Sequence, residues 1–166
     1  MLQYRNLKLS DADRIRVWRN KQLKILRQNK LISKKEQLVF FKKFILKKNT
    51  NTKLFAIEFE KKLIGYGGLT NISKIYKTAE ISFLLDNTIN HNSNIYEKFF
   101  TNFLKFIKNL SFKKSKIRRL YTETYSFRKK HIKILENCGF ILEGIMNKHV
   151  VKNSKYYDSL IHGILK

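Results

Sequence analysis

Hydrophobic and polar positions along the 166 residues change their period several times, and each change marks an element. Tyr4 to Leu9 reads as a first strand. Ser10, with Asp13 three residues on, makes a capping-box-like start to a helix reaching about Leu26, with Ile15, Trp18 and Leu23 toward a core. Ser33 and Glu36 repeat that signal before Leu38, Phe41, Phe44 and Ile45, a second helical stripe. Phe55, Ile57 and Phe59 then alternate, Lys61 and Lys62 turn the chain, and Leu63 to Thr70 returns as a hairpin partner with Gly65, Gly67 and Gly68. Ala79 to Leu85 is a further strand, and Ile95, Phe99, Phe103, Phe106 and Ile107 mark a long helix. Tyr121, Glu123 and Tyr125 alternate with Thr122 and Thr124, and Ile132 and Leu135 share a helical face that stops at Gly139. Phe140 to Leu142 restarts a strand, and Tyr156 to Leu165 closes the sheet.

Composition narrows this picture in a few places. A chain of this length with 43% hydrophobic residues supports one core, with no linker, repeat or low-complexity tract and no proline. No apolar run approaches the roughly 20 residues of a membrane span. The first residues, MLQYRNLKLSDADRIR, lack the apolar centre of a signal peptide, so a cytoplasmic protein is expected. The single cysteine, Cys138, excludes an intrachain disulfide and a cysteine-rich metal site. The 36 Lys+Arg against 12 Asp+Glu give a net charge of +24, with lysines scattered from Lys8 to Lys166 instead of concentrated on one patch. Such a field attracts anionic ligands in a salt-dependent way and identifies no nucleic-acid surface.

The stretch Leu120 to Gly144, LYTETYSFRKKHIKILENCGFILEG, spells strand, short helix and strand without a gap. It resembles the closing motif of the GNAT acyl-CoA N-acetyltransferases, in which a helix ends in E-x-x-G-F, here Glu136 to Phe140, before a strand carrying L-E-G. The order β, α, α, β, β, β, α, β, α, β, β matches that family along nearly the whole chain. The resemblance implies an α/β (α+β) class and a single GNAT-like domain over residues 1–166, with a mixed central sheet of about seven strands flanked by about four helices. It also implies acetyl-CoA as co-substrate, no metal, and a small-molecule amine as partner, with a homodimer admitted.

Further implications attach to particular residues. In the family the central strand exposes backbone groups to pantetheine, which gives Phe83, Leu84 and Leu85, and the next helix receives the pyrophosphate on its N-terminal amides. The glycine-rich loop usual there is replaced by Asn90, His91, Asn92, Ser93 and Asn94, and asparagine tolerates left-handed angles, so Asn92, Ser93 and Asn94 are the expected cradle. Arg128 adds a phosphate contact. Where many relatives carry a tyrosine as general acid this chain has Leu135, which cannot donate a proton; Tyr125 and Ser126 are the nearest candidates to replace it, and Glu80 and His149 are the candidate bases.

For the acceptor, Trp18, Arg19 and Asn20, a later I-S-x-x-E, and the run Glu143, Gly144, His149, Lys152, Asn153, Lys155, Tyr156 and Asp158 resemble enzymes that acetylate nucleotide-linked amino sugars, including those of pseudaminic acid synthesis. Ser154 replaces the turn glycine of that pattern. Arg19 suits a nucleotide phosphate and Trp18 a sugar or base face. Amine acidity agrees with such an acceptor. Deprotonating a lysine-like amine at pH 7 costs about 4.6 kcal/mol, against about 1.4 for an amine titrating near 8. A protein N-terminal acetyltransferase of the ribosomal-protein type meets the same criterion. A degenerate GNAT fold that binds CoA, nucleotide or RNA without turnover is the non-enzymatic alternative.

Overall fold

The computed structural model describes residues 1–46, 51–89 and 94–166, with only the backbone at Leu46. Seven strands follow the order β1-β2-β3-β4-β5-β7-β6: β1 Leu2–Asn6, β2 Lys53–Phe59, β3 Lys62–Ser73, β4 Thr78–Leu85, β5 Arg119–Tyr125, β6 Ile141–Lys152 and β7 Lys155–Leu165. The four helices are α1 Ala12–Lys21, α2 Lys34–Phe40, α3 Asn94–Asn109 and α4 Lys129–Asn137. This is the expected mixed α/β domain of seven strands and four helices. The chain divides into two compact units, residues 1–72 with 81–89 and residues 73–80 with 90–166.

In the first unit β1, β2 and β3 run antiparallel over a core of Leu7, Ala12, Ile15, Trp18, Phe41, Ala56, Leu63, Tyr66 and Leu84. Strand β1 ends earlier than Leu9, because the Asp11 carboxylate accepts the Lys8 amide at 2.8 Å and two hydrogen bonds from Arg5, which turns Lys8 to Asp11 into the helix entry. The cap therefore lies at Lys8 and Asp11 instead of Ser10 and Asp13. Helix α1 stops at Lys21, short of Leu26, since Gln22 leaves helical angles and its side-chain amide donates to the Leu85 carbonyl at 2.9 Å. The Ser33–Glu36 capping box forms as expected.

After Phe40 the backbone widens into a π-type turn over Phe41–Leu46. Phe41 is buried and Ile45 half-buried, whereas Leu38 within α2 and Phe44 within the π-type turn are exposed, two positions expected on the core stripe. The β2–β3 turn uses Glu60 and Lys61, both at positive φ, so the reversal comes one residue before Lys61 and Lys62. Gly65 is required by close approach: a Cβ there would meet the Leu84 carbonyl at 2.6 Å.

In the second unit β4 pairs parallel with β5 over Thr78↔Arg119 to Glu80↔Tyr121, and β5, β7 and β6 continue antiparallel. Helix α3 buries Tyr96, Phe99, Phe100, Phe103, Leu104 and Ile107, while Ile95, expected on that face, is 55% exposed. Helix α4 buries His131, Ile132, Ile134 and Leu135 and ends at Gly139, whose φ of +87° favours glycine. The Lys108 ammonium donates to the Cys138 carbonyl at 2.8 Å, a cation at the negative end of the α4 dipole.

Candidate active site

The starts of α3 and α4 meet in a small polar cluster. Arg128 is the N-cap of α4; its amide donates to the Tyr125 carbonyl at 2.9 Å and its carbonyl accepts from the Ile132 amide. The guanidinium reaches α3, donating to the Tyr96 hydroxyl at 3.2 Å and to His131 Nδ1 at 3.3 Å, while Tyr96 and His131 Nδ1 lie 2.8 Å apart. Arginine only donates, so Nδ1 is an acceptor and the neutral ring carries its proton on Nε2. His131 is fixed from behind by stacking on Phe100, with centroids 4.1 Å apart.

Two features set Arg128 apart. Burial pushes its guanidinium below the usual arginine range, and burial likewise raises the Tyr96 hydroxyl. No carboxylate among the described residues pairs with it. A cation at a helix N-terminus also faces the positive end of the dipole. Half-buried, without a carboxylate partner among the described residues and at the unfavourable end of the dipole, this charge is able to take an anion.

A second polar group lies on one face of β5, β7 and β6. Residues Arg119, Tyr121, Glu123 and Tyr125 alternate on that face, and register puts Gly163, Ile161 and Ser159 beside the last three. Strand β6 spends three residues, Asn147 to His149, where β7 spends only Asp158. The Asp158 carboxylate holds this bulge by accepting the Lys148 amide at 2.8 Å, with Lys148 at a φ of +50°. The bulge aims His149 at Ser159: Nδ1 is 2.9 Å from the Ser159 hydroxyl and 3.6 Å from the Glu123 carboxylate. The side chain is 45% exposed, so the imidazole is both oriented and reachable.

Tyr125 is buried on the same face, with the Lys152 ammonium 5.6 Å from its ring centroid and Phe127 against it. Tyr125 also interacts electrostatically with Arg128. Glu80 is 3% exposed and opposite Tyr121. Leu135 is fully buried, so the helix position that holds tyrosine in many relatives is a core position here. Arg119 and Glu143 form a close two-pronged pair over Gly163; the guanidinium holds the Glu143 carboxyl below its usual range.

The remaining expected residues lie as follows. Asn94 opens α3 and is exposed, while Asn92 and Ser93 lie outside the described residues. In the first unit Leu84 and Leu85 are buried and Phe83 half-buried. The Trp18 ring is 3% exposed within the core, with the Arg14 guanidinium 5.4 Å from its centroid. Arg19 donates to Gln28 at 3.0 Å and hydrogen-bonds Tyr66. Asn20 exchanges hydrogen bonds with both backbone groups of Ile32, at 2.9 Å each, and accepts from Gln28. Trp18, Arg19 and Asn20 thus pin the segment after α1 to its own helix.

Glu123 and Ser159 were not among the expected site residues. The alternation of β5 gave Glu123 a face, but only the bulge brings His149 to it, and a bulge leaves no periodic signal. Among the described residues no group of three or more His, Cys, Asp or Glu side chains can hold a metal. No described helix is long and apolar enough to cross a membrane.

A family model described as an acetyltransferase (GNAT) domain matches residues 4–161. No curated protein matches. Similar solved structures include the spermidine N-acetyltransferase from Vibrio cholerae in complex with CoA and spermine, at a TM-score of 0.85 and 22% identity, covering 99% of this chain and 95% of that one. The dodecameric structure of spermidine N-acetyltransferase from the same organism gives a TM-score of 0.81 and 22% identity, covering 99% and 93%. At such identities the likeness is one of fold.

Proposed function

Because this chain belongs to the acetyltransferase (GNAT) family and is thereby an acyl-CoA N-acetyltransferase, we propose that it moves the acetyl group of acetyl-CoA directly onto the amine of a nucleotide-linked amino sugar. The observation that carries the donor half is the Arg128 guanidinium, half-buried and, among the described residues, hydrogen-bonded only to neutral acceptors. The donor's diphosphate supplies the missing charge, with the first amides of α3 beside Tyr96 as further donors. The amine nitrogen attacks the thioester carbonyl, the C–N bond forms, the C–S bond breaks, and CoA leaves as the thiolate. His149 accepts the ammonium proton, with Glu123 as counter-charge and Ser159 holding the ring. Tyr125 protonates the thiolate in place of the absent tyrosine at position 135.

For the acceptor, charge supports an anion. The chain carries +24. Many described carboxylates are committed internally: Asp11 and Glu58 to Arg5, Asp13 to Arg16, Glu97 to Lys130, Glu143 to Arg119, and Asp158 to the Lys148 amide. A nucleotide diphosphate is drawn to such a surface, whereas a polyamine is repelled. A polyamine is the second reading, favoured by the spermidine N-acetyltransferases of similar fold.

Thiol release from acetyl-CoA, measured in parallel with a UDP-linked amino sugar, spermidine and an N-terminal peptide, separates the readings. The proposal expects the sugar nucleotide to turn over fastest, with kcat/KM falling as salt rises. Turnover confined to spermidine or to the peptide overturns the acceptor assignment. No turnover with any amine leaves a binding protein in its place.

A further inference from the structure

Between the pairs Met146↔Ser159 and Val150↔Tyr157, three residues of β6 face only Asp158 of β7, so the ladder that fixes neighbouring side chains is interrupted at His149. Another contact must fix the imidazole. The Lys148 peptide supplies it: its amide donates to the Asp158 carboxylate at 2.8 Å, and Lys148 takes a φ of +50°, which persists in a lysine only where its surroundings hold it. His149 comes directly after. Its Cα–Cβ bond is thereby aimed so that Nδ1 lies 2.9 Å from the hydroxyl of Ser159, the residue next to Asp158.

Asp158 is itself anchored at its other end. Its backbone carbonyl accepts the Ser126 amide at 2.9 Å, at the turn after β5 in which the Arg128 amide donates to the Tyr125 carbonyl, also at 2.9 Å. That turn joins the proposed acid, Tyr125, to the Arg128 guanidinium. One residue thus ties the β6 bulge to the end of β5.

We infer that Asp158 is a positioning residue for the transfer: with its carboxylate on the Lys148 amide and its carbonyl on the Ser126 amide, it keeps the His149 imidazole in register with Tyr125 and Arg128. The inference rests on the reading of His149 as proton acceptor and adds a residue that acts only through another. Proton transfer needs its heavy atoms at hydrogen-bond distance, and a misplacement of about 1 Å is enough to slow a reaction on the order of a hundredfold. What Asp158 contributes is an oxygen at a fixed place, so asparagine can stand in for it and alanine cannot.

The test compares Asp158→Ala, Asp158→Asn, His149→Gln and the double variant D158A/H149Q in the full chain, with acetyl-CoA and a UDP-linked amino sugar as substrates. Asp158→Ala is expected to lower kcat about thirtyfold while KM for acetyl-CoA stays within about twofold of native. Asp158→Asn is expected to recover most of that loss. In the double variant the alanine is expected to add less than about twofold to the His149→Gln effect, because no imidazole is left to position. Where Asp158→Ala does not fold, Asp158→Glu, which moves the carboxylate by one methylene, is expected to show the same split between kcat and KM. A kcat within about threefold of native, losses that multiply in the double variant, or an asparagine variant as slow as alanine each overturns the inference and leaves His149 as the base. A native kcat in His149→Gln overturns the base reading, and this inference with it. For a chain that does not turn over the sugar, the His149 ring signals in carbon–proton NMR, identified by their loss in His149→Gln, give the answer. They are expected to move in Asp158→Ala and to return in Asp158→Asn, and unmoved signals overturn the inference.

Discussion

The two compact units use arginine to opposite ends. In the first, the Arg5 guanidinium lies between Asp11 and Glu58, with hydrogen bonds of 2.7 Å to each. In the second, Arg128 ends on a tyrosine hydroxyl and a neutral imidazole. A cation matched by carboxylates is a structural part, since its charge is spent within the fold. One held only by neutral acceptors keeps its charge for a ligand. The contrast is one of partners and not of location, because Arg119 in the second unit is matched by Glu143 and belongs with the structural group.

The largest expected effect comes from an open group. His149→Gln keeps a polar side chain for Ser159 but removes the proposed proton acceptor, so kcat is expected to fall about a hundredfold while KM for acetyl-CoA and the melting temperature stay put. A kcat within a few-fold of native would remove His149 from the chemistry. Next comes a closed group. Asp11→Asn weakens both Arg5 contacts and is expected to lower unfolding free energy by roughly 1.5–3 kcal/mol in urea, with kcat unchanged.

The same substitution tests pH dependence. Burial raises the Asp11 carboxyl, but the hydrogen bonds from Arg5 and the Lys8 amide outweigh it and hold it below its usual range. A depressed carboxylate contributes stability that is present above its unfolded value, about 3.9, and lost as pH falls through the lower folded value. The native chain should therefore lose stability below about pH 4 more steeply than Asp11→Asn. Parallel acid profiles would contradict the coupling. The smallest effect lies at the β6–β7 turn, where Asn153 and Ser154 both take positive φ. Ser154→Gly relieves the side chain of a left-handed angle and should raise stability by about 0.5–1 kcal/mol, seen as a higher melting temperature.

Much of the architecture was legible because its signals are local. The Ser33–Glu36 cap, the Gly139 stop and the alternation of β5 each follow from residues a few positions apart. The stripe over Leu38 to Ile45 fits a single helical period, which the π-type turn from Phe41 interrupts. The candidate site was legible in parts. His149, Tyr125 and Arg128 stood out as residue types. What surrounds them depends on a bulge and on a meeting of α3 with α4 across more than thirty residues, and neither has a sequence period. Trp18, Arg19 and Asn20 show the converse, since residue types that suit a nucleotide also suit anchoring a loop.

Paired titrations of acetyl-CoA into Arg128→Met and Arg5→Met test the contrast most directly, with each variant's melting temperature measured alongside. Arg128→Met is expected to lose about thirtyfold in affinity with its melting temperature kept or raised, because an apolar side chain replaces a half-buried cation that no described carboxylate pairs. Arg5→Met, which leaves Asp11 and Glu58 without their partner, is expected to lose stability and keep its affinity. Native affinity in Arg128→Met, together with a lower melting temperature, would contradict the contrast.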